Sequence, residues 1–318
     1  MMSSLPLSDP ENPHLPVLYQ EIIHALRPVS GGCYVDATLG AGGHARGILQ
    51  ASSPEGKLLG LDVDPVALAM ARQRLSAFGD RAVLMEASYT TLSDQIRAAG
   101  WAGADGIVID LGVSSMQIDE PGRGFSFQKD GPLDMRFNPG QKTTAAELVN
   151  HLPEDELADL IWRYGEDTQS RRIARAVCRA RPLTTTLELA GVIEKAFGGR
   201  RGRIHPATRT FQALRICVNQ ELEALETVLP QAVEVLSPGG RLAVISFHSL
   251  EDRLVKQFFR RESRDCICPP GQPVCTCGHR AVIQEVNRRP LEAGEEEIAE
   301  NPRARSAKLR IVEKLKLA

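Results

Sequence analysis

An apolar segment that runs directly into a glycine-rich turn constrains the fold of this chain more than any other feature. The segment 34–38 leads into Gly40, Gly42 and Gly43, and His44 follows them where a helix is expected to open. Glycine allows a tight turn and a close approach to the backbone, because it has no Cβ atom. A strand, a glycine turn and a helix in this order open a doubly wound parallel sheet. We therefore predict an α/β fold with a Rossmann-like sheet.

Two more apolar segments end in acidic residues, and they make this interpretation more specific. Asp62 closes the segment 58–62, and Asp110 closes the segment 106–110. Asp62 follows Gly40 by 22 residues, where an acid at the tip of the second strand can accept hydrogen bonds from ribose hydroxyls. Because ligands of such sheets bind beyond the carboxyl ends of the strands, the glycines and both acids are expected around one crevice.

Asp36, which lies in the first strand four residues before Gly40, discriminates between two cofactors. A carboxylate that faces the diphosphate of NAD is repelled, whereas a carboxylate near a cationic ligand is favoured. S-adenosyl-L-methionine carries a sulfonium and an amino group and has no phosphate. The sequence therefore favours S-adenosyl-L-methionine over NAD, with a solvated strand-end acid as the alternative role of Asp36.

The composition is that of a globular protein. The chain has 318 residues, of which 42% are hydrophobic and 25% charged, and its formal net charge is −2. This length supports about two domains with a full core. No apolar run approaches the ~20 residues of a membrane span, and the N-terminal residues lack the pattern of a secretory signal. We expect a cytoplasmic protein whose 7 cysteines stay reduced.

The charge is distributed unevenly along the chain. Residues 31–150 contain 10 Lys and Arg against 14 Asp and Glu, whereas residues 163–215 contain 12 Lys and Arg against 4 Asp and Glu. Arginine dominates the second segment, and its planar guanidinium suits phosphates and stacks on bases. RNA is therefore the expected partner, with solvated helix faces as the alternative. The arginines include Arg171, Arg172, Arg175, Arg179, Arg181, Arg200, Arg201, Arg203, Arg209 and Arg215.

Strand and helix signals alternate from about residue 30 to residue 115, as in a parallel sheet. A helix is expected at 66–78. The alternation stops at segment 116–141, which is rich in Gly, Pro, Asp and Arg and has the length of a functional loop. Segment 236–247 reads as a helix end, a turn and then a buried strand, and a last strand is expected at 303–315. The first four predicted strands are 34–38, 58–62, 82–86 and 106–111.

Helix signals fill the interval between these two groups of strands. Capping boxes begin at Thr144 and at Thr185, each followed three residues later by a glutamate. The simplest architecture is one sheet domain with a helical insertion. We predict that residues 1–140 and 216–318 form the cofactor-binding domain. Residues 141–215 are expected to form the inserted helical, basic, RNA-contacting domain.

The strand ends also suggest how a methyl group is transferred. Transfer from a sulfonium depends mainly on positioning and on the removal of water. A ring amine is a poor nucleophile and needs an acceptor that draws on its N–H as the bond forms. Asp110 and the carbonyls of 111–115 are the expected acceptors. This loop lacks the Asp/Asn-Pro-Pro-aromatic form that is common in amine-directed DNA methyltransferases.

Three other side chains near the crevice each allow two interpretations. Tyr89 follows the third strand and either stacks on an adenine ring or packs in the core. His44 either hydrogen-bonds the amino-acid end of the cofactor or begins a helix with solvent contact. His248 follows Ser246 at a strand end and either orients a base or phosphate or makes a structural hydrogen bond. No convincing Ser-His-Asp arrangement is present, so hydrolase chemistry is not expected.

Four cysteines lie close together in the sequence, followed by a histidine. They are Cys266, Cys268, Cys275 and Cys277. Two C-x-C pairs are less typical of structural zinc than C-x-x-C pairs. The sequence therefore predicts an exposed, reduced loop without a metal, and a zinc site is the alternative.

Eight motifs spread over nearly the whole chain are specific when taken together. They are HLPVL (14–18), GAGGH (40–44), DLGVSS (110–115), RGFSF (123–127), GPLDMR (131–136), YGED (164–167), HPATRTFQALR (205–215) and SFHSLEDR (246–253). With these motifs the chain resembles the ribosomal RNA small subunit methyltransferase H family, the MraW-type cytosine-N4 methyltransferases of bacterial 16S rRNA. The cysteine segment is not part of the family's shared pattern.

The resemblance implies a sheet domain with an inserted helical domain, S-adenosyl-L-methionine as methyl donor, and a cytosine in the decoding centre as substrate. Many relatives have Phe where Tyr89 stands, so stacking is expected to survive there. Asp110 is the expected catalytic residue. The family's cofactor contacts correspond to Gly42, Gly43, His44, Asp62, Tyr89, Asp110 and Gln117. Substrate contacts are expected from Arg123, Asp134, Arg136, His205, Arg209, Arg215, Ser246 and His248.

The partner implied is 16S rRNA, within the small ribosomal subunit, and the chain is compatible with a homodimer. A cytosine target in folded RNA should be single-stranded or splayed out, because a stacked and paired amine does not reach the sulfonium. Two alternatives keep the same fold, namely a methyltransferase acting on DNA or protein and a non-catalytic ribosome-assembly factor. An NAD-linked oxidoreductase is a more distant alternative.

Overall fold

The computed structural model describes residues 16–199 and 205–316. These residues form two compact units. The first unit contains residues 16–111 and 224–316, and the second contains residues 112–223. The predicted insertion 141–215 lies within the second unit, which also includes the loop residues that precede it.

In the described part of the first unit, seven strands form one sheet in the order β3-β2-β1-β4-β5-β7-β6. The five strands β1 to β5 run parallel, while β7 is antiparallel to both β5 and β6. This topology confirms the predicted doubly wound α/β fold. The strands are β1 Cys33–Asp36, β2 Lys57–Asp62, β3 Ala82–Glu86, β4 Ala104–Asp110, β5 Leu236–Ser246, β6 Ile283–Glu285 and β7 Lys308–Lys314.

The helices connect these strands and fill the second unit. Helices α5 to α10 lie in the second unit, and α11 begins at its last residues. The helices are α1 Tyr19–Leu26, α2 Gly43–Ala51, α3 Pro65–Leu75, α4 Leu92–Ala98, α5 Ser115–Asp119, α6 Ala145–His151, α7 Glu154–Gly165, α8 Ser170–Ala180, α9 Thr186–Ala196, α10 Thr208–Asn219, α11 Glu221–Val235, α12 Ser249–Glu262 and α13 Glu295–Glu300.

Alternate residues of the central strands pack on opposite faces of the sheet, so the first unit has two apolar layers. Val35, Leu59 and Ile107 belong to the layer that includes α4, α11 and α12. Their neighbours Tyr34 and Leu58 belong to the layer that includes α1, α2 and α3. Strands buried on both faces read as nearly continuous apolar runs, which is why the sequence predicts them well.

The structure differs from the sequence prediction at several element ends. Helix α3 ends at Leu75 rather than at residue 78, because the chain tightens into a 3₁₀ turn at 76–81 in which Gly79 has a positive φ of 54°. Strand β5 begins at Leu236, earlier than the expected turn allows, and its register shifts opposite Ala104 and Gly106. The last strand is shorter than 303–315, because residues 302–306 form a 3₁₀ turn.

The second unit has its own apolar core, to which segment 116–141 contributes. Leu133 and Met135 are buried with residues of the surrounding helices, and Phe125 and Phe127 pack against the same cluster. The segment is therefore held by side-chain packing, and this explains why the compact unit begins at residue 112.

No helix in residues 16–199 and 205–316 is long and apolar enough to cross a membrane.

Candidate cofactor site

The strand order reverses at β1, and this places a crevice beyond the carboxyl ends of β1 and its two neighbours. In the sheet register, Asp36 is aligned with Gly60 of β2 and with Val108 of β4. Asp62 and Asp110 therefore extend two residues further than Asp36 at the same edge. Ligands of doubly wound sheets bind at such a switch point.

The glycine loop between β1 and α2 has the conformation that the sequence predicts. Gly40 and Gly42 have positive φ angles of 52° and 79°, which residues with a Cβ rarely adopt. Among the described residues, a Cβ added at Gly40 would have one neighbour within 4 Å, the carbonyl oxygen of Thr38 at 3.9 Å. A Cβ added at Gly43 would lie 2.4 Å from Cγ of Pro16. The loop is thus packed closely on its Gly43 side, whereas Gly40 borders open space.

Asp62 ties this loop to the second strand. Its Oδ2 accepts a hydrogen bond of 2.7 Å from the Gly40 N–H, and its Oδ1 accepts one of 2.9 Å from the Asp64 N–H. Burial raises the pKa of Asp62, although these two N–H groups oppose the shift. An ionised carboxylate has about four acceptor positions, so ligand hydroxyls can be bound in addition.

Asp36, His44 and Asp110 form a compact group beside the loop. Nε2 of His44 lies 3.6 Å from Oδ2 of Asp110, a distance that suits an ion pair but is too long for a hydrogen bond. The Asp110 N–H donates to Oγ1 of Thr38 at 2.6 Å. Asp36 is 1% exposed, and burial raises its pKa to about 7, while His44 opposes the rise.

Several polar atoms of this group are buried without a hydrogen-bond partner among the described residues. They are Oδ1 of Asp110 and both ring nitrogens of His44. Buried polar atoms are nearly always paired, so orphaned atoms in a crevice indicate that a ligand supplies the partner. Three carboxyl groups near one histidine also favour a cationic ligand. The site therefore fits S-adenosyl-L-methionine.

Two further predicted cofactor residues are placed differently. Tyr89 begins a 3₁₀ turn after β3, is half-buried and packs against the apolar layer that includes α4. Its ring packs on this layer, and stacking of the same ring on an adenine stays a prediction. Gln117 is buried in the second unit, where it forms a capping box with Ser114 at the start of α5.

The end of β5 has structural contacts that the sequence analysis did not assign. The Ser246 hydroxyl donates to the carbonyl of Lys308 at 3.4 Å. His248 is the N-cap of α12, and its Nδ1 accepts from the Glu251 N–H at 3.4 Å. Nε2 of His248 lies 3.1 Å from a carboxylate oxygen of Glu251, but the two atoms are not aligned as a hydrogen bond. These contacts support the structural interpretation of His248.

Several residues expected to contact the substrate are engaged within the second unit. The Arg123 guanidinium donates to the carbonyls of Arg136 and Phe137, both at 3.0 Å. Arg136 forms a two-pronged ion pair with Asp134, at 2.8 and 2.7 Å. His205 packs against the Phe127 ring at 4.6 Å. These side chains shape the segment 116–141, and the contacts of Arg123 and His205 join residues that are distant in sequence.

Arg215 is held in the same way. Its Nε and one terminal nitrogen donate to the two oxygens of Glu221, at 2.7 and 2.8 Å, and both side chains are largely buried. Because a guanidinium in a two-pronged pair is geometrically committed, we remove Arg215 from the residues proposed to bind RNA. Arg209 is exposed, and its guanidinium donates to the Glu166 carbonyl at 3.2 Å.

Helix α8 presents the exposed arginine face that the sequence suggests. Ile173 and Val177 are buried, while Arg171, Arg172, Arg175 and Arg179 are exposed. Arg175 lies 3.3 Å from Glu154, and both side chains are about half exposed; such surface pairs contribute little stability. Arg200, Arg201 and Arg203 lie outside the described residues.

Two residues that support the site, Thr38 and Asp64, were not predicted from the sequence. Thr38 carries no distinctive sequence signal, because its hydroxyl acts by accepting a hydrogen bond from the backbone N–H of Asp110, which lies on another strand. Asp64 had a readable signal, since an aspartate before Pro65 is typical of a helix start. Its side chain accepts from the Val66 N–H at 3.0 Å and caps α3.

We expect Asp62→Ala to weaken binding of S-adenosyl-L-methionine by about 1–3 kcal/mol, because it removes a charged acceptor and releases the Gly40 N–H. Isothermal titration calorimetry would measure this change. Glu86→Ala is the matched control, since Glu86 is exposed and pairs with Asp62 in the sheet register. Equal dissociation constants for Asp62→Ala and the wild type would remove Asp62 from the site.

Asp36 should make cofactor binding depend on pH. Its raised pKa means that the carboxyl ionises as pH rises through about 7, and the ionised form attracts a cationic ligand. The charges of Asp62 and Asp110 also face the Asp36 carboxyl. We expect binding to tighten between about pH 6 and about pH 8 and the change to be smaller in Asp36→Asn. Identical pH profiles for the two proteins would contradict this role.

Comparison with known proteins agrees with the geometry. A model of the MraW methylase family matches residues 11–315. The ribosomal RNA small subunit methyltransferase H of Dehalococcoides mccartyi is 54% identical over 305 residues, which cover 96% of this chain and 87% of that protein. The protein of the same name from Thermomicrobium roseum is 52% identical and covers 98% of this chain and 97% of its own length.

A third relative, from Heliobacterium modesticaldum, carries the same name and is 48% identical over 95% of this chain and 99% of its own length. Identity at this level over whole chains confirms the resemblance that the motifs suggest. It also confirms S-adenosyl-L-methionine as the cofactor expected for this fold. The chain belongs to the MraW methylase family.

Proposed function

We propose that this protein transfers a methyl group from S-adenosyl-L-methionine to the exocyclic N4 amine of a cytosine in 16S ribosomal RNA. Relatives that are about half identical along nearly the whole chain are named ribosomal RNA small subunit methyltransferase H, which supports rRNA as the substrate class. The N4 position and the decoding centre are implied by the motif resemblance. The reaction is expected in the cytoplasm, where small ribosomal subunits are present.

The observation that carries this proposal is the unpaired Oδ1 of Asp110 at the switch point of a methylase-family sheet. A cytosine amine is a weak nucleophile, because its lone pair is delocalised into the ring. An acceptor that draws on its N–H while the nitrogen bonds to carbon raises its reactivity. Asp110 has such an acceptor, and the hydrogen bond from its own N–H to Thr38 fixes its backbone.

The other site residues bind and orient. Bound S-adenosyl-L-methionine supplies a methyl group activated by its positively charged sulfur. Asp62 offers acceptors for hydroxyl groups while it holds the glycine loop. Asp36 and His44 lie behind Asp110, where the carboxyl adds negative charge once it is ionised. Methyl transfer to the amine ends with loss of its proton, which Asp110 is positioned to accept.

The second unit supplies the surface expected to hold RNA. The four exposed arginines of α8, at positions 171, 172, 175 and 179, project from a helix whose opposite side is buried. Arginine side chains in such a row neutralise successive phosphates and release counterions. We propose that this arginine face, together with Arg209, positions the RNA.

The direct test is methyl transfer from isotope-labelled S-adenosyl-L-methionine to undermethylated small ribosomal subunits, with the product nucleoside identified by mass spectrometry. We expect N4-methylated cytidine at one site. We also expect Asp110→Asn to lower the rate at saturating cofactor by about 10²–10⁴-fold, the typical contribution of a positioned proton acceptor.

The matched control is Asp105→Asn, which alters an exposed acid near the opposite end of the same strand. Its rate should stay close to that of the wild type. Labelled DNA or protein without labelled rRNA would favour a different methyltransferase. Tight cofactor binding without transfer to subunits or naked rRNA would favour an assembly role.

Reversing the charge of the arginine face should weaken RNA binding. The double variant Arg171→Glu and Arg179→Glu removes two phosphate partners, so the dependence of log Kd on log salt should flatten by about 2 in slope. Fluorescence anisotropy with an rRNA fragment at several salt concentrations measures both effects. The double variant Arg72→Glu and Arg97→Glu, at exposed positions on α3 and α4, changes the net charge by the same amount and is the control. An unchanged salt slope in the double variant would show that the arginines are merely solvated.

A further inference from the structure

The segment between α12 and β6 is a long loop that lacks a core of its own. No helix or strand is present between Glu262 and Ile283, and no side chain from residue 264 to residue 280 is buried. Loops of this length without secondary structure are uncommon in compact domains. Apolar packing therefore does not account for a defined conformation of this segment.

The four cysteine sulfurs of the loop nevertheless meet at one point. Sγ of Cys268 lies 3.9 Å from that of Cys275, Cys275 lies 3.5 Å from Cys277, and Cys277 lies 3.9 Å from Cys266. All four sulfurs are within 4.8 Å of one another. A disulfide needs about 2.05 Å between sulfurs, so these cysteines are not bridged.

The sulfur spacing matches a tetrahedral metal site. Zinc binds thiolates at about 2.3 Å, so a regular tetrahedron of four sulfurs has edges of about 3.8 Å. The three shortest contacts, at 3.5 to 3.9 Å, lie close to this value, and no two of the sulfurs are more than 4.8 Å apart. The two C-x-C pairs, which looked unfavourable from their spacing, are brought face to face by the six residues between them.

Backbone donors also point at the sulfurs. The Ile267 N–H, within the first C-x-C pair, donates to Sγ of Cys277 at 3.4 Å. The Thr276 N–H, within the second pair, donates to Sγ of Cys268 at 3.4 Å. Each pair thus supplies an N–H to a sulfur of the other pair. Hydrogen bonds of this kind orient thiolate ligands and stabilise their negative charge.

Hydrogen bonds between its two ends close the base of the loop, and these bonds do not use the four cysteine sulfurs. The Val282 N–H donates to the carbonyl of Glu262 at 3.0 Å, and the Ala281 N–H donates to Asp265 at 3.3 Å. Nε2 of His279 lies 3.0 Å from the Arg261 carbonyl, so this ring is occupied at the base of the loop. The ligand set is therefore four sulfurs.

We propose that Cys266, Cys268, Cys275 and Cys277 bind one structural Zn²⁺ ion. Four soft thiolates in a tetrahedral arrangement select zinc over hard cations such as Mg²⁺. A closed four-sulfur set has no open position for a substrate, so the site stabilises structure rather than catalysing a reaction. The ion stabilises the conformation of the loop, as buried apolar side chains stabilise the rest of the chain.

Elemental analysis of the full-length protein, purified under reducing conditions without chelator, tests the proposal. We expect one equivalent of zinc per chain in the wild type and loss of that zinc in Cys268→Ser. Cys178→Ser is the matched control, because Cys178 is a free cysteine on α8 outside the cluster, and it should retain the zinc.

Cobalt substitution of the wild-type protein gives a readout that does not depend on how a variant folds. Tetrahedral cobalt thiolate has intense visible and charge-transfer absorption, which we expect after exchange of zinc for Co²⁺. Absence of bound metal while all 7 cysteine thiols are titratable would overturn the proposal. Stoichiometric iron in place of zinc, or two disulfides detected by intact mass after rapid thiol blocking, would overturn it as well.

Discussion

The hydrogen bond from the Gly40 N–H to the Asp62 carboxylate is the contact on which the cofactor site depends. It fixes the glycine loop against β2, and the same carboxylate accepts the N–H of Asp64, which caps α3. One acidic side chain therefore determines the shape of the loop and the start of the next helix. The open space beside Gly40 exists because the loop is held in a left-handed conformation.

The charge of the crevice follows from the sheet register. Asp62 and Asp110 lie two residues further towards the edge than Asp36, on the two neighbouring strands. Burial raises the pKa of Asp36, and the nearby carboxyl groups of Asp110 and Asp62 add to that rise. Three carboxyl groups in one crevice carry a cost in electrostatic free energy unless a positive charge lies nearby. The crevice therefore favours cationic ligands and disfavours phosphates.

Much of the fold and part of the site could be predicted from the sequence. The strands were recognisable because central strands are apolar on both faces, and the glycine turn has few structural alternatives. The roles of polar side chains were less accessible. Arg215 was expected to bind phosphate and Arg123 to contact the substrate, but the groups that they bind within the protein become visible only in three dimensions. His248 likewise serves as a helix cap. The composition of a segment gives its net charge, but it does not show which group each arginine binds.

The position of β7 in the sheet has a consequence for how the chain is made. The short strand β6 pairs with β7, and β7 also pairs with β5, although it is the last strand in the chain. During synthesis, the outer edge of β5 therefore stays unpaired until residues 308–314 have been made. The 112 residues of the second unit, which has its own core, emerge before β5 does. Vectorial folding therefore completes the inserted unit ahead of the sheet that contains it.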